Sequence, residues 1–127
     1  MNNKRYRVAN MRSGYYVADK LPFKGHNLYG LRFGPNDSCY VVYSYGEHWP
    51  LWLWVDNHWF GNKSRYSVTT SKHRSHSWPR GVGPEEITWL DIQQIREAAR
   101  KIVALPKDMP MAGNIFNYLI AEEMKND

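Results

Sequence analysis

From Tyr6 to Thr70 the apolar positions follow the short period of extended chain, and from Thr88 to Met124 they follow the longer period of a helix. In the first part Tyr, Val, Trp and Phe come in short runs. Gly14, Gly25, Gly30, Gly34-Pro35-Asn36-Asp37 and Gly46 separate them, which predicts strands joined by turns. The clearest strands are Cys39 to Tyr45 and Leu51 to Val55, linked through Gly-Glu-His-Trp-Pro as a hairpin. Pro50 falls at the strand start, where no ladder donor is required. Trp59-Phe60 and Arg65 to Thr70 extend the meander after turns at Asp56-Asn57 and Gly61-Asn62. Alternation places Leu51, Leu53 and Val55 on one face and Trp52 and Trp54 on the other, so both faces of the sheet should be covered.

The cover is expected from the C-terminal part. Thr88 and Asp91 have capping-box spacing and Ile87 and Ile92 the spacing of a hydrophobic staple, so a helix is predicted from about Trp89. Its stripe is Ile92, Ile95, Ala99, Ile102 and Val103, and Pro106 stops it after Leu105. A second helix is predicted from Pro110 to about Met124, on Met111, Ile115 and Leu119. The fold class expected is α+β: an antiparallel N-terminal β-sheet of about five short strands covered by two C-terminal helices. One domain spans residues 1–127, with a sheet part (6–70), a basic loop (71–84) and a helical part (88–124).

Composition adds a cytoplasmic reading. The single Cys39 excludes an internal disulfide and a multi-cysteine zinc site, and fits a reducing compartment. The N-terminus has no apolar stretch of signal-peptide type, and no window reaches the length of a membrane span, so no membrane partner is expected. Aromatic residues make up 15% of the chain, enough that core or contact surface must be largely aromatic. The net charge of +5 is unevenly spread. Residues 1–80 carry twelve Lys/Arg against four Asp/Glu, whereas residues 81–127 carry five against eight, so a basic body adjoins an acidic end.

The charge is densest from Lys63 to Arg80. This segment has five Lys/Arg, His73, His76, many hydroxyls, Tyr66 and Trp78, and no carboxylate. Cations interleaved with hydroxyls and aromatic faces suit a polymer of phosphates and bases. The candidate nucleic-acid-binding residues are Lys63, Arg65, Tyr66, Thr70, Lys72, His73, Arg74, Trp78 and Arg80. Lys72, His73 and Arg74, where a strand would give way to the loop, are expected to be held for a specific contact. Trp49 and Trp78 are the Trp expected to be exposed, with Trp52 and Trp54 under a helix.

Catalytic signals are weak. His48 in the hairpin turn and His73 could form the acid and base of a phosphodiester cleavage, with Lys72 or Arg74 stabilising developing charge. Any chain with five His offers such pairs by chance. His73 and His76 lack a third ligand nearby, Cys39 fits a buried apolar position, and Gly81-Val82-Gly83-Pro84 lacks the Lys-Ser/Thr of a phosphate loop. No metal and no cofactor are expected.

Tyr40-Val41-Val42-Tyr43-Ser44-Tyr45-Gly46, a Trp-rich strand, and then Tyr66-Ser67-Val68-Thr69-Thr70-Ser71-Lys72-His73 make a pattern that resembles small uncharacterised proteins of phages and mobile elements. The resemblance covers about residues 40–76 and carries no activity with it. Where those proteins commonly have Gln after the His, this chain has Arg74, which strengthens attraction for phosphate. The resemblance implies a phage or plasmid accessory protein in a bacterial cytoplasm. Two functions of different class follow: a non-enzymatic nucleic-acid binder, and an anti-defence inhibitor that binds a host protein. A two-His phosphodiesterase stands third.

Overall fold

The computed structural model describes residues 4–107. The predicted helix from Pro110 to Met124 lies outside the described residues. The described chain builds seven strands and three helices: β1 (Tyr6–Arg7), α1 (Ser13–Ala18), β2 (Phe23–Lys24), β3 (Leu28–Phe33), β4 (Cys39–Ser44), β5 (Pro50–Val55), β6 (His58–Asn62), α2 (Val68–His76), β7 (Ile87–Leu90) and α3 (Ile92–Val103). All seven strands form one sheet, and their spatial order is their order in the chain.

The sheet is mixed. Antiparallel pairing runs from β2 to β6, while β1 joins β2 and β6 joins β7 in parallel. This corrects the expected five antiparallel strands under two C-terminal helices. Each parallel pair needs a crossover, and the crossovers supply two of the helices: α1 between β1 and β2, and α2 between β6 and β7. The central hairpins agree with the sequence reading. Pro50 opens β5, and Asp56 and Asn57, with φ of 50° and 64°, form the two-residue turn that sets Val55 opposite His58.

Both faces are covered, by different elements. On one face Val41, Tyr43, Leu53, Val55, Phe60 and Leu90 pack against Ile95, Ala98, Ala99 and Ile102 of α3. On the other, Tyr40, Val42, Leu51, Trp52, Trp59 and Ile87 pack with Val17 of α1. Leu51 joins Trp52 rather than Leu53, beside a register shift at Val42/Tyr43 that breaks strict alternation.

Two boundaries differ from expectation. The stretch 65–70 is not a strand and 71–84 is not wholly a loop, because α2 occupies Val68–His76. Ser67 is its N-cap. The Ser67 backbone N–H donates to Thr70 Oγ1 at 2.9 Å and the Thr70 N–H to Ser67 Oγ at 3.1 Å, a reciprocal cap hidden in a run of hydroxyls. The other boundary is that of α3, which starts at Ile92 instead of Trp89. Asp91 is its cap and exchanges bonds with Gln94, which frees Ile87–Leu90, rich in strand formers, to pair with β6. In α3 the expected stripe is buried at Ile95, Ala99 and Ile102, whereas Val103 is exposed.

Candidate nucleic-acid interface

The two crossovers meet on one face of the sheet, and most of the sequence-selected residues lie on the second of them. α2 divides these residues by helical period. Val68, Thr69, Lys72 and Ser75 are exposed, while Thr70 and His73 are buried. The trio Lys72, His73 and Arg74 is therefore split.

His73 points inward. Its Nδ1 is 2.7 Å from Ser44 Oγ at the end of β4, and its ring packs on Tyr45 with centroids 5.5 Å apart. Burial lowers its basicity below the ordinary histidine value, and the charges of His76 and His26 add to that. Arg74 is half-buried. It donates to the Asn62 carbonyl at 2.9 Å, and its guanidinium lies 5.7 Å from the Trp89 ring centroid. Desolvation, followed by the nearby Arg65 charge, lowers its pKa.

Asn62 anchors this junction. Fully buried, it donates to the Pro50 carbonyl and accepts from the Ser64 N–H, both at 2.8 Å. Ser64 in turn accepts from the Ile92 N–H, so the segment that enters α2 is tied to the start of α3.

Lys63, Arg65 and Lys72 are exposed, and so is Arg80 after the helix. Among the described residues none of them is paired with a carboxylate, whereas Arg100 and Lys101 on α3 pair with Glu97. Tyr66 is 75% exposed and rests one edge of the strip on Trp49, at 5.3 Å between centroids. Trp49 itself is buried, contrary to expectation, because Tyr66 and the sheet cover it.

Trp78 is half-buried rather than free for stacking. Its indole N–H donates to the Val82 carbonyl at 2.7 Å, and its ring contacts Trp52 and Trp89 at 5.2 and 5.5 Å. Trp52 is fully buried beneath, with its N–H on Ser77 Oγ at 3.0 Å, and Ser77 Oγ donates to the His73 carbonyl at 2.6 Å. A three-indole cluster thus forms a rigid base for the end of α2.

Sequence reasoning missed the contribution of the first crossover. Ser13 Oγ lies within hydrogen-bonding distance of both the Asn10 carbonyl, at 2.7 Å, and the His76 carbonyl at the end of α2, at 3.2 Å. A Cβ on Gly14 would lie 2.6 Å from the Trp78 carbonyl oxygen, so this glycine permits the two segments to touch. Tyr15, 52% exposed, carries the Arg80 guanidinium over its ring at 4.5 Å. Between the segments opens a cleft of about 370 Å³ lined by Met11, Tyr15, Ser75, His76, Trp78 and Arg80. A smaller one of about 320 Å³ lies at Arg7, Lys24 and His26. No residue pattern announces either cleft, because each joins parts of the chain that only the fold brings together.

His48 is exposed in the β4–β5 turn, where its carbonyl accepts from Arg96 Nε at 3.0 Å. The other half of the proposed acid-base pair, His73, is held in the interior by Ser44. Among the described residues no group of three His, Cys, Asp or Glu is gathered as a metal site needs. Nor is any described helix long and apolar enough to cross a membrane. Cys39 is fully buried, with its thiol pushed up to about 11 chiefly by that burial. Compared with protein-family models, curated proteins and solved structures, the chain matches none.

Proposed function

We propose that this protein binds nucleic acid without catalysis, as an accessory protein of phage or plasmid type. The observation that carries this reading is the strip of exposed, carboxylate-free cations Lys63, Arg65, Lys72 and Arg80 along α2 and its flanks, bordered by the exposed rings of Tyr66 and Tyr15. Phosphates meet charge that no internal partner neutralises, and rings supply faces for bases. The inward groups have a different part: Thr70, His73, Arg74 and Trp78 fix the helix so that the outward cations keep their spacing.

The test is fluorescence anisotropy of labelled DNA and RNA with the whole chain at low and moderate salt. Each phosphate neutralised should contribute a slope of roughly −0.9 in log affinity against log salt on duplex DNA. Lys63→Ala and Lys72→Ala should each weaken binding and flatten that slope. Absence of binding at low salt by folded protein would overturn the reading and direct attention to a protein target.

A further inference from the structure

We propose that the cleft between α1 and the end of α2 receives one unpaired nucleobase, which continues the stack that Arg80 makes on Tyr15. The inference rests on the nucleic-acid reading above and names the form of nucleic acid that the surface prefers, namely single strands.

Three features of the cleft lead to it. The first is the Tyr15–Arg80 pair. Arg80 is exposed, yet its guanidinium sits 4.5 Å from the Tyr15 centroid, so a flexible side chain is held in place over a ring. The Arg80 backbone is held as well, since its N–H donates to the Gly14 carbonyl at 3.1 Å. Guanidinium planes and aromatic rings are the groups on which splayed-out bases stack, and a planar cation covered on one side by a ring still offers its other side.

The second feature is size and lining. About 370 Å³ falls at the lower end of the roughly 300–1,000 Å³ range of small-ligand sites, and the walls mix apolar Met11 and Trp78 with polar Ser75 and His76. Met11 is 78% exposed, an apolar side chain at the mouth with no cover of its own. A paired base is enclosed in its duplex and cannot enter such a recess, whereas an unpaired base can.

The third feature is the His76 ring. Its Nδ1 is buried with no hydrogen-bond partner. The ring also belongs to the cleft wall, so a polar nitrogen without a partner inside the protein stands beside the space that a base would fill.

The experiment compares a fluorescein-labelled single strand of mixed sequence with the duplex made from its complement, using the full chain. The single strand should bind at least several-fold tighter. Arg80→Lys keeps the charge and removes the plane, so it separates stacking from simple attraction. It should lower single-strand affinity by about 5- to 100-fold, and duplex affinity far less. Tyr15→Ala, which removes the platform under Arg80, should act in the same direction, and Tyr15→Phe should restore binding.

Equal affinity for strand and duplex, or an Arg80→Lys variant that binds the strand as the parent does, would overturn the cleft inference and leave the proposed function standing. Failure of the parent chain to bind either form at low salt would overturn both. Should Tyr15→Ala lose its circular dichroism signature, Arg80→Lys still decides, because an exposed side chain is exchanged there for another cation.

Discussion

Ser44 Oγ and His73 Nδ1 stand 2.7 Å apart in the interior and join the last residue of β4 to the middle of α2. Neither residue is exposed to solvent. The bond gives a helix with hardly any apolar side chains a fixed position on an apolar sheet.

Replacing Ser44 with Ala should therefore destabilise the protein by about 1–3 kcal/mol, since one nitrogen of a buried ring loses its partner. Urea titration followed by tryptophan fluorescence would measure this. An unchanged midpoint would show that the bond does not position α2.

Acid should weaken the fold. Burial lowers the basicity of His73 and of His58 relative to an ordinary value of 6.5. Below that value the unfolded chain takes up protons that the folded chain does not, so stability is complete above about pH 6.5 and declines as pH falls toward the depressed folded values. Urea midpoints measured across this range should show the decline, and His73→Gln should make it shallower. A midpoint that rises on acidification would contradict the assignment.

Lys72 and Arg74, two residues apart, should separate cleanly. Lys72→Ala is expected to weaken nucleic-acid binding with a stability change within about 0.5 kcal/mol, as for an exposed site. Arg74→Ala should cost about 1–3 kcal/mol, because the Asn62 carbonyl loses a charged donor and Trp89 loses its cover. Paired binding and denaturation curves would reveal the reverse assignment as readily.

Overpacking the contact of the two crossovers should be costly. Gly14→Ala directs a methyl at the Trp78 carbonyl, a backbone atom that cannot rotate away, and should destabilise by about 1–3 kcal/mol. A thermal melt would test it, and an unchanged melting temperature would mean that α1 can shift away from α2 without loss.

The sequence was legible where side chains are apolar and neighbours in the chain are neighbours in space. The β4–β5 hairpin, the Asp56-Asn57 turn and the buried stripe of α3 all follow from local period and turn chemistry. α2 was misread because it buries Thr70 and His73 in place of an apolar stripe, so helical period leaves no trace in hydrophobicity. β7 was misread because Thr88 and Asp91 imitate a cap while Asp91 and Gln94 form the real one. The parallel edges and the Tyr15–Arg80 pair depend on contacts between distant segments, which no window along the chain contains. The same reason limits the candidate site: Lys63, Arg65 and Lys72 stand out by residue type and are exposed, but which of their neighbours turn inward is decided by α2.

Strand order that equals chain order has a consequence for synthesis. Each antiparallel neighbour from β2 to β6 can pair as it leaves the ribosome, with only short loops to close. β7 alone must wait for α2 to be laid across the face before it can add to the far edge. Asn62 and Trp89, the residues that brace Arg74, belong to the two strands of that parallel pairing. A nascent chain halted before residue 87 would thus carry Arg74 with only the Asn62 half of its brace, and α2 would be fully seated only once β7 has paired.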